Sequence, residues 1–507
     1  MSENGIQNLL ADLGRHDQSV EVISPINGKV MFVLSQFSAD EVARLVEIAK
    51  AAAPTWAQTP VEQRAQVLLG LHDLLIEHQQ QLLDLLQFET GKARSHAFED
   101  FAGALNSSRH YGKIAPKALR TKRVRSGAPT LVRNYVDYVP LGVVGVITPW
   151  NYPLALSALD VLPALVAGNT VVQKIDNQTA LTAIYLRRLA LEAGLPAEAW
   201  TIVVGDGTEV GNAVTDNVDY VAFTGSTATG RIVAQRAAAR LIGYSLELGG
   251  KNPMIVLPGA NLKRAASIAL GAAIGNSGQL CVAIERLYVP NSIKTEFLAE
   301  LSTQAQALTV GKSGQFDMDL GTLASSAQLS RVIGLLNDAV EHGARLVSGG
   351  KPQPQLGPYF VTPAIITDIP SQAKLDRNEV FGPVLQVYGY DTVEHAIDLA
   401  NDTSYGLNAA VVGPEREAIA VAHRLNAGSV NINEGFRASF ASMESPMGGF
   451  KESGMGRRNG DYGLTRFTET RAIGVAGGLL KLPSRAQDYR SISKLLILLS
   501  KVLRRLP

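Results

Sequence analysis

The sequence predicts an α/β protein built from two doubly wound units with a small β element beside them. Between 139 and 249, apolar strand-like runs alternate with helical patterns: VPLGVVGVITPW, LALSALDVLPALVAG, NTVVQK, then QTALTAIYLRRLALEAG closed by Gly194. TIVVG, a helix near 208–214, VDYVAFTG and a further helix from 227 continue the series. Strands buried on both faces and joined by crossover helices form a parallel sheet, whose ligands sit at the strands' carboxyl ends. A second alternating block runs from about 250 to 430, through KNPMIVL, a helix over 261–274, ERLYVP and a helix over 292–309, to GSVNIN. The length agrees: 507 residues, 46% hydrophobic and 18% charged, exceed a single simple core.

The flanking segments follow in order. Residues 38–113 carry apolar side chains at three- and four-residue spacing and predict helices. Residues 117–138 alternate, carry basic side chains and predict a protruding hairpin. From about 434 to 463 the chain is rich in Gly, Ser and Met; the strand-like TRAIGV and a distinct tail come after it.

Composition excludes several classes. A net charge of +1 gives no global field for nucleic acid, and a single cysteine excludes an intramolecular disulfide or a CxxC metal site. The first residues lack a signal peptide's apolar core, and no run before 490 is long and apolar enough to span a bilayer. None of the eight histidines lies in a Gly-rich strand-end context, and no HExxH-like spacing exists. A metal centre is not expected, and Cys281 has no evident histidine partner.

The candidate chemistry lies at predicted strand ends. Cys281, in GNSGQLCV, reads either as a small buried hydrophobe or as a nucleophile. Glu247, in SLELGGKNP, is an acid in an apolar turn, where burial raises its pKa toward a general base's range; the other reading is an acid satisfied by backbone amides. Asn151, in TPWNYP, offers an amide to an oxyanion or caps a helix. GDGTEVG (205–211) and GSTATG (225–230) are imperfect dinucleotide fingerprints, either of which suits a pyrophosphate or a simple turn. Lys174 ends a strand run and either reaches ligand hydroxyls or is solvated.

Taken together, TPWNYP, FTGSTATG, LELGGKNP, GNSGQLC, NEVFGP and SPMGGFKESGMGR occur in one order whose spacing resembles the aldehyde dehydrogenase superfamily, over roughly 20–477. The resemblance implies a Rossmann-like cofactor-binding domain (1–117 and 139–249), a catalytic domain (250–463) and oligomerisation strands (118–138 and 464–477), followed by a basic amphipathic helix (478–507). It implies Cys281 as nucleophile through a thiohemiacetal and a thioester, Asn151 and the Cys281 amide as oxyanion donors, and Glu247 as the base for hydrolysis. It implies Lys174 on the adenosine ribose, Ser226 at the pyrophosphate, Glu379 on the nicotinamide ribose and Phe381 beside the nicotinamide, with Trp150 and Gly225 also among the cofactor-binding residues. The cofactor is NAD or NADP, with NADP favoured: Asn177 stands where NAD-preferring members carry Glu, and a neutral amide does not repel a 2′-phosphate.

LIGYSLELGGKNPMIV, GQLCVAIERLYV and NDTSYGLNAAVV are similar to the actinobacterial-type NADP-dependent succinate-semialdehyde dehydrogenases. That similarity implies oxidation of succinate semialdehyde to succinate. Better-known succinate-semialdehyde enzymes hold the carboxylate with arginines where this chain has Leu159 and Gly275; Arg437 is the remaining candidate clamp, or an exposed loop arginine. A medium- or long-chain or aromatic apolar aldehyde is the rival substrate, and a non-enzymatic scaffold is remote because Cys281, Glu247 and Asn151 are all present. In 484–507, Ile492, Leu495, Leu496, Leu499, Val502, Leu503 and Leu506 fall on one helical face, with six basic residues against one acid. The tail is expected to dock on protein or to lie on an anionic membrane surface, with disorder the remaining reading. The expected assembly is a homodimer or tetramer, cytoplasmic or peripheral on the membrane, with no nucleic acid partner.

Overall fold

The computed structural model describes residues 3–126, 132–477 and 483–504. The chain opens with a helix, Glu3–Leu10, and an antiparallel pair, β1 (Gln18–Ile23) and β2 (Val30–Gln36), neither of which the sequence patterning announces. Four helices follow: Ala39–Gln58, Val61–Glu77, Gln79–Thr90 and Arg94–Ala118. The first starts where Ser38 and Glu41 close a capping box: the Ser38 hydroxyl accepts from Glu41 N (3.3 Å) and Glu41 Oε2 accepts from Ser38 N (2.7 Å). These helices pack beside the first sheet, with Trp56 Nε1 donating to Leu165 O and the buried Arg64 Nε to Val166 O.

The predicted hairpin region forms β3 (Lys122–Val124) and β4 (Val132–Pro140); its tip, 127–131, lies outside the described residues. The first doubly wound sheet holds β5 (Val143–Ile147), β6 (Thr170–Lys174), β7 (Trp200–Val203), β8 (Tyr220–Thr224) and β9 (Gly243–Glu247), all parallel. The second holds β10 (Asn252–Val256), β11 (Ile284–Pro290), β12 (Arg345–Ser348), β13 (Ala364–Thr367), β14 (Val384–Tyr390), β15 (Asn408–Val412) and β16 (Ser429–Ile432), in the order β12-β13-β14-β11-β10-β15-β16. Only β12 runs antiparallel to its neighbour there. The Gly-rich stretch then crosses back: β17 (Gly454–Met455) pairs antiparallel with β9, giving the order β17-β9-β8-β5-β6-β7. Last, β18 (Thr468–Ala476) lies against β4 in a three-stranded sheet with β3.

Register decides what the first sheet can do. Ile147 is opposite both Lys174 and Phe223, and Thr224 is opposite Glu247. The carboxyl ends of β5, β6, β8 and β9 therefore form one row, and the loops leaving them share one edge.

The two sheets meet near Gly91, which ends its helix in the left-handed conformation (φ 67°). Its carbonyl accepts from Thr322 N (3.1 Å), and a Cβ on Gly91 would lie 2.1 Å from Thr322 Cγ2. Gly91→Ala is expected to cost about 2 kcal/mol or more, from strain and overpacking together. A thermal-unfolding midpoint unchanged from wild type would contradict that reading.

Candidate active site

The turn before Cys281 is unusual in its backbone. Asn276, Ser277 and Gly278 are three consecutive residues with positive φ (50°, 55° and 75°), between the helix Leu262–Ile274 and the cysteine. Left-handed Asn and Ser persist only where surroundings over-determine them. Here Asn276 Nδ2 donates to Asn151 O (2.9 Å), Ser277 Oγ to Gly321 O (3.1 Å), and Ala324 N to Gln279 Oε1 (2.8 Å). A Cβ on Gly278 would stand 2.2 Å from the Gly382 backbone, so this position requires glycine.

Beyond the turn, two buried asparagines pin the loop. Asn252 Nδ2, at the start of β10, donates to Cys281 O and Ala283 O (2.7 Å each). Asn408 Nδ2, at the start of β15, donates to Val282 O (2.8 Å) and Gly435 O (2.9 Å). Neither asparagine was singled out from the sequence; the available signal was an amide opening an otherwise apolar strand.

Cys281 is thereby carried to the carboxyl edge of the first sheet. Glu247 is the last residue of β9 rather than a turn residue, and it is buried. Among the described residues, neither of its carboxylate oxygens has a hydrogen-bond partner, so it is not an acid satisfied by backbone amides. Asn151 does not cap the helix Pro153–Val166, whose cap is Tyr152; its Nδ2 donates to Gln279 O (3.0 Å), leaving a second amide hydrogen. Its carbonyl accepts from Lys92 Nζ (2.8 Å), a buried lysine paired with Asp100 (2.8 Å).

Two cavities meet at Cys281 and Asn151. One, about 240 Å³, brings together Trp150, Ser226, Glu247, Glu379 and Phe381 with the cysteine. Gly225 is also in its wall; Ser226 caps the helix Thr227–Ala239 by accepting from Thr229 N. The Trp150 and Phe381 rings meet edge to face at 5.6 Å, and Glu379 Oε1 accepts from Gly250 N (2.9 Å). Lys174 and Asn177 are not in that wall. Lys174, at the end of β6, is buried and only 7% exposed, so it is not a solvated strand end. Asn177 Oδ1 accepts from Gly205 N (3.0 Å), which leaves its amide nitrogen to donate. GDGTEVG, in contrast, spends its Thr208 and Glu209 amides on Asp206 Oδ1 (2.7 and 2.9 Å).

The other cavity, about 210 Å³, is walled largely by apolar side chains, among them Leu156, Leu159, Phe436, Phe440 and Met447. Its charged members are Glu99 and Arg437, and they pair with each other at 2.8 Å. Arg437 also faces Glu434 at 3.4 Å.

Electrostatics at the seam favours neutral forms. Burial pushes the Glu247 carboxyl up to about 7, although Arg458 and Arg466 oppose the shift. Burial, reinforced by the carboxylates of Glu247 and Glu379, pushes the Cys281 thiol up to about 12, and Arg458 again opposes. Arg458 is thus a cation acting on both groups, and sequence reading missed it. It is fully buried, pairs with Asp160 (Nε to Oδ1, 2.9 Å), and donates to Thr224. GMGRRNG offers no pattern separating it from the half-buried Arg457 beside it. Among the described residues, no group of His, Cys, Asp or Glu is arranged to hold a metal ion.

These surroundings store the sulfur as a thiol. Alkylation of ligand-free protein by iodoacetamide is expected to accelerate about tenfold per pH unit through pH 9 without a plateau. Glu247→Gln removes a negative charge beside the sulfur and should speed alkylation at every pH. Slower alkylation would mean that Glu247 instead deprotonates the thiol.

The chain matches the aldehyde dehydrogenase family model over residues 13–473. It is 43% identical over 460 residues to a Mycolicibacterium smegmatis protein named as a putative NADP(+) succinate-semialdehyde dehydrogenase, covering 90% of this chain and 89% of that one. Among solved structures it is similar to betaine aldehyde dehydrogenase of Staphylococcus aureus in complex with NAD+ (TM-score 0.88, 31% identity, 94% and 97% of the two chains). An NADP-dependent enzyme of E. coli is similar at TM-score 0.86 and 32% identity, covering 90% and 95%. A thiol, an unpaired carboxylate and an amide donor meeting between two cavities are arranged for chemistry on a carbonyl, and the chain belongs to the aldehyde dehydrogenase family.

Proposed function

We propose that the protein oxidises an aldehyde to its carboxylic acid, with NAD(P) as the acceptor and an apolar aldehyde as substrate. The observation that carries this reading is the placement of Cys281 in the walls of both cavities. The aldehyde enters the apolar cavity, the Cys281 thiol releases its proton to solvent, and the sulfur forms a bond to the carbonyl carbon as the C=O π pair moves onto oxygen. The resulting oxyanion is held by the Asn151 amide and the Cys281 backbone N–H, each such donor being worth about 3 kcal/mol. When bound beside Trp150 and Phe381, an oxidised nicotinamide would supply the hydride acceptor, leaving the acyl group on the Cys281 sulfur as a thioester. Glu247 then takes a proton from water as the water attacks the thioester; the C–S bond breaks, the acid leaves and the thiol is restored.

The cofactor suits the cavity walled by Trp150, Ser226 and Glu379, with Lys174 and Asn177 beyond that wall. Lys174 is buried, with no hydrogen-bond partner for its ammonium among the described residues. Lys174 would bind the adenosine ribose, Gly225 and Ser226 the pyrophosphate at a helix N-terminus, and Glu379 the nicotinamide ribose, with Trp150 and Phe381 beside the ring. Asn177 adds no negative charge and keeps a donor for a 2′-phosphate. This supports NADP, as do the names of the relatives.

The substrate reading rests on the second cavity. Leu159 is in its wall, a Cβ at Gly275 would touch Phe436, and Arg437 is committed to Glu99 and Glu434. Two carboxylates against one guanidinium oppose a second carboxylate there. Succinate semialdehyde is the second reading, favoured by the names of relatives at 43% identity. The exposed sheet of β18, β4 and β3 supports a homo-oligomer built on these strands, which light scattering measures directly.

Reduced cofactor absorbs at 340 nm, and decanal is expected to exceed succinic semialdehyde in kcat/KM, with Cys281→Ala as the blank. The reverse order would return Arg437 to the role of clamp. Glu247→Gln should keep a burst of reduced cofactor while steady turnover falls; losing the burst as well would contradict a hydrolytic role. Because the ionised carboxylate is the base, kcat limited by hydrolysis should rise with pH and level above about 7.

A further inference from the structure

The last segment of the chain lies outside everything the fold requires. The family match ends at residue 473, whereas the helix Ala486–Leu503 begins beyond it. At about 1.5 Å per residue the helix is roughly 27 Å long. Ile492, Leu495, Leu496, Leu499 and Val502 recur at three- and four-residue spacing and line one face. The rest of the protein covers that face only in part: Ile492, Leu496 and Leu499 are half-buried, and Ile497 and Leu498, off this face, are the most exposed apolar side chains of the helix. None of the helix's described side chains is buried; Leu495 is 40% exposed and Val502 50%.

Charge occupies the opposite side. Arg490, Lys494 and Lys501, with Arg504 at the helix end, are all exposed, and none forms an ion pair among the described residues. The helix's one acid, Asp488, is engaged at the N-terminus, where Oδ2 accepts from Ser484 N (3.1 Å) and Arg485 N (3.0 Å). The whole chain carries only +1, so the positive charge of 484–507 is local. Among the described residues, no helix is long and apolar enough to cross a membrane. A face this apolar, backed by unpaired cations, fits a surface that is both greasy and negative. A second copy of the same helix meets the first requirement and fails the second, because it offers no negative charge to the cations on the opposite side.

We propose that the helix Ala486–Leu503 is an interfacial anchor that seats this enzyme on an anionic lipid surface. Its apolar face enters the boundary between headgroups and acyl chains, and its lysines and arginines reach the phosphates.

The test is co-sedimentation of the full chain with vesicles of phosphatidylcholine alone, or of phosphatidylcholine mixed with phosphatidylserine, at low and at high salt. Binding is read without substrate, so the result is independent of which aldehyde is oxidised. The protein should pellet with the mixed vesicles at low salt, and about tenfold less with neutral vesicles or at high salt. Lys494→Glu combined with Lys501→Glu should reduce binding by a similar factor, and Leu495→Ser combined with Leu499→Ser should abolish it. Aldehyde oxidation in solution should be unchanged in both variants, which shows that they fold. Failure of the wild type to pellet with mixed vesicles at low salt would overturn the proposal, as would equal binding by the charge-reversed variant. If the serine variant instead lowers the oligomer mass while no form binds vesicles, the face is occupied by a second copy and the anchor reading is wrong.

Discussion

Everything at the site depends on holding three successive left-handed residues, Asn276 to Gly278, immediately ahead of Cys281. Such a turn costs energy at each non-glycine position, roughly 1–3 kcal/mol. It survives because buried side-chain amides hold carbonyls in and around it. Asn276 reaches the Asn151 carbonyl, Gln279 ties to Ala324, and Asn252 and Asn408 hold the carbonyls of residues 281–283. The turn redirects the chain out of the second sheet's helix layer and delivers the sulfur to the carboxyl edge of the first sheet. Neither sheet alone makes a site; the amides that join them do.

Once delivered, the sulfur and the Glu247 carboxylate are governed by a contest between desolvation and buried cations. Desolvation wins at both: the thiol is pushed up to about 12 and the carboxyl up to about 7, despite Arg458 acting on each. Arg458 spends much of its field on Asp160, a buried carboxylate that also pairs with Arg466. The consequence is a division of labour. The sulfur stays protonated until a ligand changes its surroundings, while the carboxylate stands near the midpoint of its titration at neutral pH and can exchange a proton with water.

The apolar cavity shows how little charge this chain keeps for its substrate. Its one guanidinium, Arg437, lies 4.5 Å from the centre of the Phe436 ring and is paired with Glu99. The unmatched apolar and cationic surface is found instead on the C-terminal helix, beyond the family's shared segment.

Alternation of strand and helix patterns was enough to place both parallel sheets, because strands buried on both faces leave continuous apolar runs. Cys281 and Glu247 were singled out because strand-end loops with glycines stand out against those runs, and Asn151 because it lies between a strand run and a helix pattern. The opening helix and the β1–β2 pair were not legible, since a short helix and an exposed hairpin leave weak periodic signals. Arg458, Asn252 and Asn408 were missed because a buried arginine and a solvated one look alike in sequence, and an amide's worth lies in carbonyl partners 27 to 126 residues away. Register also belonged to the tertiary structure alone, and it is register that puts Lys174, Thr224 and Glu247 on one edge. The sequence by itself determined which segments form sheets and singled out candidate residues at their ends. Only the folded chain decided which buried charges face the thiol and which side of the tail helix remains uncovered, because both depend on contacts between segments far apart in the chain.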